Sequence, residues 1–186
     1  MIKVSLLEMH KQNPCGVFDE FLRCLGKARP DETLVGTSDF VRHIALPDAA
    51  WPLLKMPEFF QESNRFRAWC AKTLIGYVKR ELPNPTAIQL KIDSLERDDL
   101  SAEERKMITT DAKSEAASLT TVVGRSAGRL CCLKDPVKTS QSAAWISARG
   151  GCESASFEAQ RFFLLDNLYE QKQKTVDQAA WATAPE

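Results

Sequence analysis

From Ser63 onward, Phe66, Trp69, Cys70, Thr73, Leu74, Tyr77 and Val78 recur at the i, i+3, i+4, i+7 spacing of a helix with one apolar face. Pro83 closes that helix, and Asn84-Pro85 opens the next, with Asn as N-cap and Pro at the first helical position. Its inward stripe is Ala87 or Ile88, then Ile92 and Leu95. Ser101-Ala102-Glu103-Glu104 spells a capping box, and the helix it starts carries Ile108, Ala112, Ala116, Leu119 and Val123 along one side. Gly124 and Gly128 bracket a weak region, and Asp135-Pro136 breaks the chain again. Upstream, Phe18, Phe21, Leu22 and Leu25 mark a helix within residues 14–28 that stops near Gly26. A short helix over residues 38–46 points Phe40, Val41 and Ile44 inward and ends at Pro47. Residues 47–57, with three prolines, read as an irregular connector holding one helical turn.

The stretch from Gln141 to Tyr169 differs in kind. Small residues recur at Ala144, Ala148, Gly151, Ala155 and Ala159, spaced three and four apart, so a helix would gather them on one face. Such a face invites close approach of a neighbouring backbone and carries no acid–base, nucleophilic or metal chemistry. It predicts a long C-terminal helix from about Thr139 to Gln173. No segment alternates like a strand. The chain therefore reads as all-α, a compact bundle of roughly seven helices. Residues 1–60 form an N-terminal helical arm or subdomain, 61–175 the bundle core and 176–186 a frayed tail.

Composition narrows the function more than it defines it. Lys plus Arg number 25 and Asp plus Glu 25, so no global field favours nucleic acid or an anionic membrane. No apolar run reaches the roughly 18–20 residues that cross a bilayer. The N-terminus lacks the apolar core of a signal peptide, and the expected compartment is the cytoplasm. There the six cysteines (Cys15, Cys24, Cys70, Cys131, Cys132 and Cys152) are expected as free thiols.

Candidate chemistry is sparse. His10 and His43 are the only histidines, and neither stands in a nucleophile context. The vicinal Cys131-Cys132 pair suits metal binding or oxidant sensing, yet no CxxC, paired Cys–His spacing or HExxH accompanies it. No cofactor, metal or catalytic residue is predicted. Asp93, Glu96, Asp98, Asp99, Glu103 and Glu104 are interleaved with Lys91, Arg97, Arg105, Lys106 and Lys113, the pattern of a solvated face or a partner-binding one. Trp69 and Trp145 fall in apolar stripes and are expected in the core. Trp51 and Trp181 fall in irregular or terminal segments, which makes them candidate interface anchors.

Phe66-Arg67-Ala68-Trp69-Cys70-Ala71-Lys72-Thr73-Leu74 is followed by Leu82-Pro83-Asn84-Pro85-Thr86-Ala87-Ile88 and by Leu100-Ser101-Ala102-Glu103-Glu104. A small-residue helix comes next, then Ser142-Ala143-Ala144-Trp145 and Ala159-Gln160 through Leu168. This order resembles the alanine-repeat immunity proteins of bacterial toxin gene clusters and phage genomes, over residues 66–168. The resemblance implies a helical fold without catalytic residues. The expected function is thus a non-enzymatic protein-binding inhibitor from a phage or mobile element. It would mask its partner sterically, either a toxin or a component of a bacterial defence system such as CRISPR. Trp51, Asp93, Glu96, Asp98, Asp99, Glu103 and Glu104 would make the contacts. Two alternatives stand beside it: an enzyme built from scattered acidic residues and His43, and nucleic-acid binding through Arg125, Arg129, Lys134 and Arg149.

Overall fold

A short two-stranded ribbon ties the N-terminal region together: β1 (Lys3–Ser5) pairs antiparallel with β2 (Leu34–Gly36), Val4 facing Val35. The computed structural model describes residues 3–12, 16–151 and 155–165. Between and after these strands run α1 (Leu6–Lys11), α2 (Gly16–Cys24) and α3 (Thr37–His43). A short α4 (Trp51–Lys55) follows, flanked by single 3-10 turns at Asp48–Ala50 and Pro57–Phe59. Next come α5 (Phe60–Lys79), α6 (Thr86–Ser94) and α7 (Ala102–Ser118). The chain closes with α8 (Val122–Leu130), α9 (Pro136–Gly150) and α10 (Phe157–Phe162).

The fold is all-α, as the periodicity predicts, although the described residues hold ten helices rather than about seven. The extra elements lie where the pattern is shortest. Three-residue strands are too brief to show an alternation, and the Pro-rich connector divides into short turns, with Pro52 and Pro57 each in the first turn of one.

Helix α5 is the axis of the molecule. It packs against α8, α9 and α4, and α4 also meets α9, while α6 and α7 pair with each other and α7 with α8. The stripe read from the sequence is the buried one: Phe66, Cys70, Leu74 and Val78 are inaccessible, and Trp69 is half-buried, stacked on Phe163 with ring centroids 4.5 Å apart. A single buried cluster runs through both halves of the chain, joining Leu6, Phe18, Phe21, Val41 and Trp51 to Phe66, Ile88, Ile146 and Leu164.

Helix ends are closed by named side chains. The capping box forms as read: the Glu104 amide donates to Ser101 Oγ at 3.2 Å and the Ser101 amide to Glu104 Oε2 at 2.8 Å. At α6 the boundary moves by one residue, with Pro85 as N-cap instead of Asn84. Here Glu115, on α7, reaches across to accept the Ile88 amide at 2.7 Å, supplying the cap that proline cannot. Asp135 caps α9 through Oδ1, with Pro136 at the first position, so this dipeptide starts a helix rather than only breaking the chain. Gly124 and Gly128 lie inside α8, not at its weak ends. A Cβ on Gly128 would sit 3.0 Å from Ala116 Cβ and 3.1 Å from Ile88 Cδ1, so three helices meet at that missing side chain.

Glu81, just past α5, holds the start of α8. Its carboxylate accepts the amides of Thr120 (2.6 Å) and Thr121 (3.0 Å) and both threonine hydroxyls. The hydrogen bonds from Thr121, then those from Thr120, hold its pKa at about 2, below the ordinary 4.5. A carboxyl depressed in the fold contributes stability above its ordinary pKa and loses it as pH falls toward the folded value. Glu81→Gln is therefore expected to melt below wild type at pH 7, with the gap closing between pH 4.5 and about 2. A gap independent of pH in paired melts would remove the carboxylate from this role.

Candidate functional site

The small-residue stretch turns out to be divided. Helix α9 ends at Gly150, and Gly151 adopts the left-handed conformation at φ 69° that a side chain resists, the usual C-terminal stop. The predicted helix from Thr139 to Gln173 is therefore corrected to α9 and the shorter α10, with residues 166–173 outside the described set. The predicted packing face is corrected too. Buried positions on α9 are Pro136, Thr139, Ser140, Ala143, Ile146 and Ser147, one residue before the predicted stripe at each turn. One residue is about 100° of helix. Ala148 and Gly151 face outward and Ala144 is half-exposed, while Ala155 is buried. A close approach to α5 is made at Gly150, whose missing Cβ would lie 2.1 Å from Tyr77 Oη.

Rotating α9 by one residue puts Trp145 on the surface. It is 40% exposed, not in the core as its spacing suggests, and Arg149 stacks over its ring at 4.5 Å from the centroid. Phe157, at the start of α10, is 41% exposed. Between the two aromatics lies a depression of about 670 Å³, with Gln141, Ala144, Ala148 and Gly151 among the residues that line it. On the other side of Trp145, a second depression of about 410 Å³ is lined by Arg129, Leu133 and Ile146. Trp145 and Gln141 border both, so the indole is a ridge between two hollows. The surface rests on buried polar clamps: Ser140 Oγ donates to Gln160 Oε1 at 2.5 Å, and Gln160 Nε2 donates to the carbonyls of Ala155 (2.9 Å) and Ser140 (3.1 Å). Removing that amide with Gln160→Ala takes the partner from a buried hydroxyl and a donor from two carbonyls. The expected cost is about 1–3 kcal/mol, read as a lower denaturation midpoint.

The acidic residues named from the sequence are exposed, but most are engaged locally. Glu96 pairs with Lys72 at 2.6 Å, and Asp99 takes two bonds from Arg97, at 3.0 and 2.6 Å. Arg97 holds the Asp99 carboxyl below its usual range. Asp98 accepts from Gln61 at 2.9 Å, Asp93 accepts from Gln89 at 3.0 Å, and Glu104 closes the capping box. Glu103 lies exposed in the first turn of α7. Trp51 is corrected from surface to core, being only 6% exposed at the start of α4; Trp181 lies outside the described residues. His43 is exposed, with Nδ1 2.6 Å from the carbonyl of Asp39 in its own helix. Arg125 donates to the carbonyls of Leu119 and Thr120, so it closes the end of α7, while Arg129 and Lys134 are exposed. Among the described residues, no three His, Cys, Asp or Glu side chains gather as metal ligands.

A second polar region lies inside. Arg67 on α5 is buried and donates to the carbonyl of Leu133 at 2.7 Å and to Asn64 Oδ1 at 2.8 Å. Lys91 on α6 is also buried; desolvation first, then repulsion from Arg67, pushes its pKa down. Cys131 and Cys132 sit in the turn after α8 with their sulfurs 3.9 Å apart. Cys15 and Cys152 lie outside the described residues.

Comparison with family models, curated proteins and solved structures finds no match for this chain. Among the described residues, no helix is long and apolar enough to cross a membrane.

Proposed function

We propose that this protein is a non-enzymatic, cytoplasmic protein-binding inhibitor, carried by a phage or mobile element, which masks a toxin or a bacterial defence component. The observation that carries the reading is the ridge at Trp145. Tryptophan and arginine are the residue types most enriched where binding energy concentrates, and here Arg149 covers an exposed indole between two hollows. Helix α9 presents that ridge already ordered, its other face locked into the core by Ile146 and Ser140, so docking forfeits little conformational entropy. The engagement of Asp93, Glu96, Asp98, Asp99 and Glu104 in local bonds favours the α9 surface over the acidic segment as the principal contact. The family resemblance supports the same class on residue order alone.

The test couples capture to function. The full chain, immobilised, is exposed to bacterial lysate beside its Trp145→Ala variant, and the retained protein is purified and its own activity titrated with this chain. Retention and inhibition by wild type, both lost in the variant, support the reading. Equal retention by both chains, or retention without loss of the partner's activity, overturns it.

A further inference from the structure

We propose that Cys132 is a peroxide-reactive thiol with Cys131 as its resolving partner, the pair closing reversibly to a vicinal disulfide in the turn after α8. This inference is independent of the binding reading and rests on four observations around one turn. The two sulfurs stand 3.9 Å apart. Cys131 is fully buried and donates to the carbonyl of Gly128 at 3.3 Å, whereas Cys132 is partly exposed, so only one of the two meets solvent. The surroundings are cationic: Arg67 from α5 bonds the carbonyl of Leu133, the next residue, while Lys91 from α6 and Lys113 from α7 act on Cys132. Such a partly exposed, electropositive setting is where reactive cysteines are found. The contact with Cys131 first, and these three cations after it, pull the Cys132 thiol below its usual range, while that contact and burial push Cys131 up.

The same charges argue against a metal. Two thiolates would be needed, and an incoming cation would meet Arg67, Lys91 and Lys113. A hydroperoxide brings no charge. The Cys132 thiolate attacks one peroxide oxygen, and the O–O bond breaks. The departing alkoxide takes up a proton and leaves as an alcohol, or as water when the oxidant is hydrogen peroxide. Sulfur has then lost two electrons to the peroxide and is a sulfenic acid. Cys131 attacks that sulfur, the S–O bond breaks, and the hydroxide leaves as water with the Cys131 proton. Closure draws the sulfurs from 3.9 Å to about 2.05 Å between neighbouring residues, whose Cα atoms, about 3.8 Å apart, are nearer than in most disulfides. The bond is therefore strained and easily reduced, as a signal requires. The turn held by Cys132 N to Arg129 O (2.9 Å) and Leu133 N to Leu130 O (3.1 Å) must shift with it.

The tryptic peptide Leu130–Lys134 contains both cysteines and no other, and exposed Cys24 falls in a separate peptide. Full-length protein is treated with graded hydrogen peroxide, alkylated and digested for mass spectrometry. The expected result is an unalkylated Leu130–Lys134 lighter by two hydrogens at doses that leave Cys24 reduced, reversed by dithiothreitol. Cys131→Ser should stop at a sulfenic acid on Cys132, trapped by dimedone, and Cys132→Ser should leave Cys131 reduced. Oxidation of Cys24 at lower doses, or dimedone trapping on Cys131, overturns the proposal. If either serine variant fails to fold, the wild-type comparison of the two peptides decides alone.

Discussion

Gly150→Ala should lower the melting midpoint even though it exchanges a poor helix former for the best one. In an exposed helix that exchange stabilises by about 0.5–1 kcal/mol. At position 150 the added methyl would fall 2.1, 2.3 and 2.5 Å from Oη, Cζ and Cε1 of Tyr77, distances no pair of heavy atoms sustains. The ring or the α5–α9 contact has to yield. Tyr77 is buried in that contact, with Arg80 over its face at 4.9 Å, so yielding disturbs packed neighbours. Overpacking of this kind costs about 1–3 kcal/mol, more than the propensity gain. Gly150→Leu should be worse, at the upper end of that range or beyond it. Truncating the obstacle with Tyr77→Ala should make Gly150→Ala much less harmful than in the wild-type background, a coupling of the sign expected for residues in contact. Ala148→Leu, two residues away but outward-facing, should move the midpoint by no more than about 0.5 kcal/mol. Thermal melts of the five variants, the Tyr77→Ala single and double changes included, are sufficient. A Gly150→Ala midpoint at or above wild type would mean that α9 does not approach α5 as closely as described.

That pair of variants also marks where sequence reasoning stopped. Helix α9 carries small residues on two adjoining faces, Ala143, Ser147 and Gly150 on one and Ala144, Ala148 and Gly151 on the other. Periodicity alone cannot choose between faces that differ by a single residue of rotation. The choice is made by Ile146, which is inaccessible, and by Ser140, which bonds to Gln160. Arg149 is the signal that was available: an arginine four residues after a tryptophan on a helix can cover the ring, and such a pair belongs on the surface. Helix α5 was legible because its stripe repeats from Phe66 to Val78, about three and a half turns, as was the capping box, whose two halves lie within four residues. The caps on α6 and α8 were not, since Glu115 reaches an amide 27 residues away and Glu81 an amide 39 away. Trp51 misled for a related reason. Its surroundings read as irregular, and irregular backbone points to the surface, whereas the turns around it fold inward and bury Ala49, Ala50 and Leu53 beside it.

If the ridge on α9 is the contact, Trp145→Ala should weaken partner binding by about 2 kcal/mol or more, roughly 30-fold in Kd. The indole is already 40% exposed, so the midpoint of the free protein should change little. Arg149→Ala should cost less, about 0.5–1 kcal/mol, because the guanidinium at 4.5 Å from the ring contributes mainly as an exposed cation–π partner. Ala148→Leu makes the sharpest variant: it fills the floor of the larger hollow without touching the buried face, so it should block docking while leaving the fold intact. The acidic segment predicts a different signature. Reversing Glu96 and Asp98 breaks local bonds to Lys72 and Gln61, and rim charges of this kind alter association rate and salt dependence more than dissociation. Titration of the captured partner against these variants, with circular dichroism on each, separates the two surfaces. Loss of binding in the Trp145 and Ala148 variants alone places the contact on α9. Full binding in both, with loss on acid reversal, moves it to the loop between α6 and α7. Binding unaffected by either set, or activity lost with His43→Ala while partner binding persists, leaves steric masking through these surfaces without support.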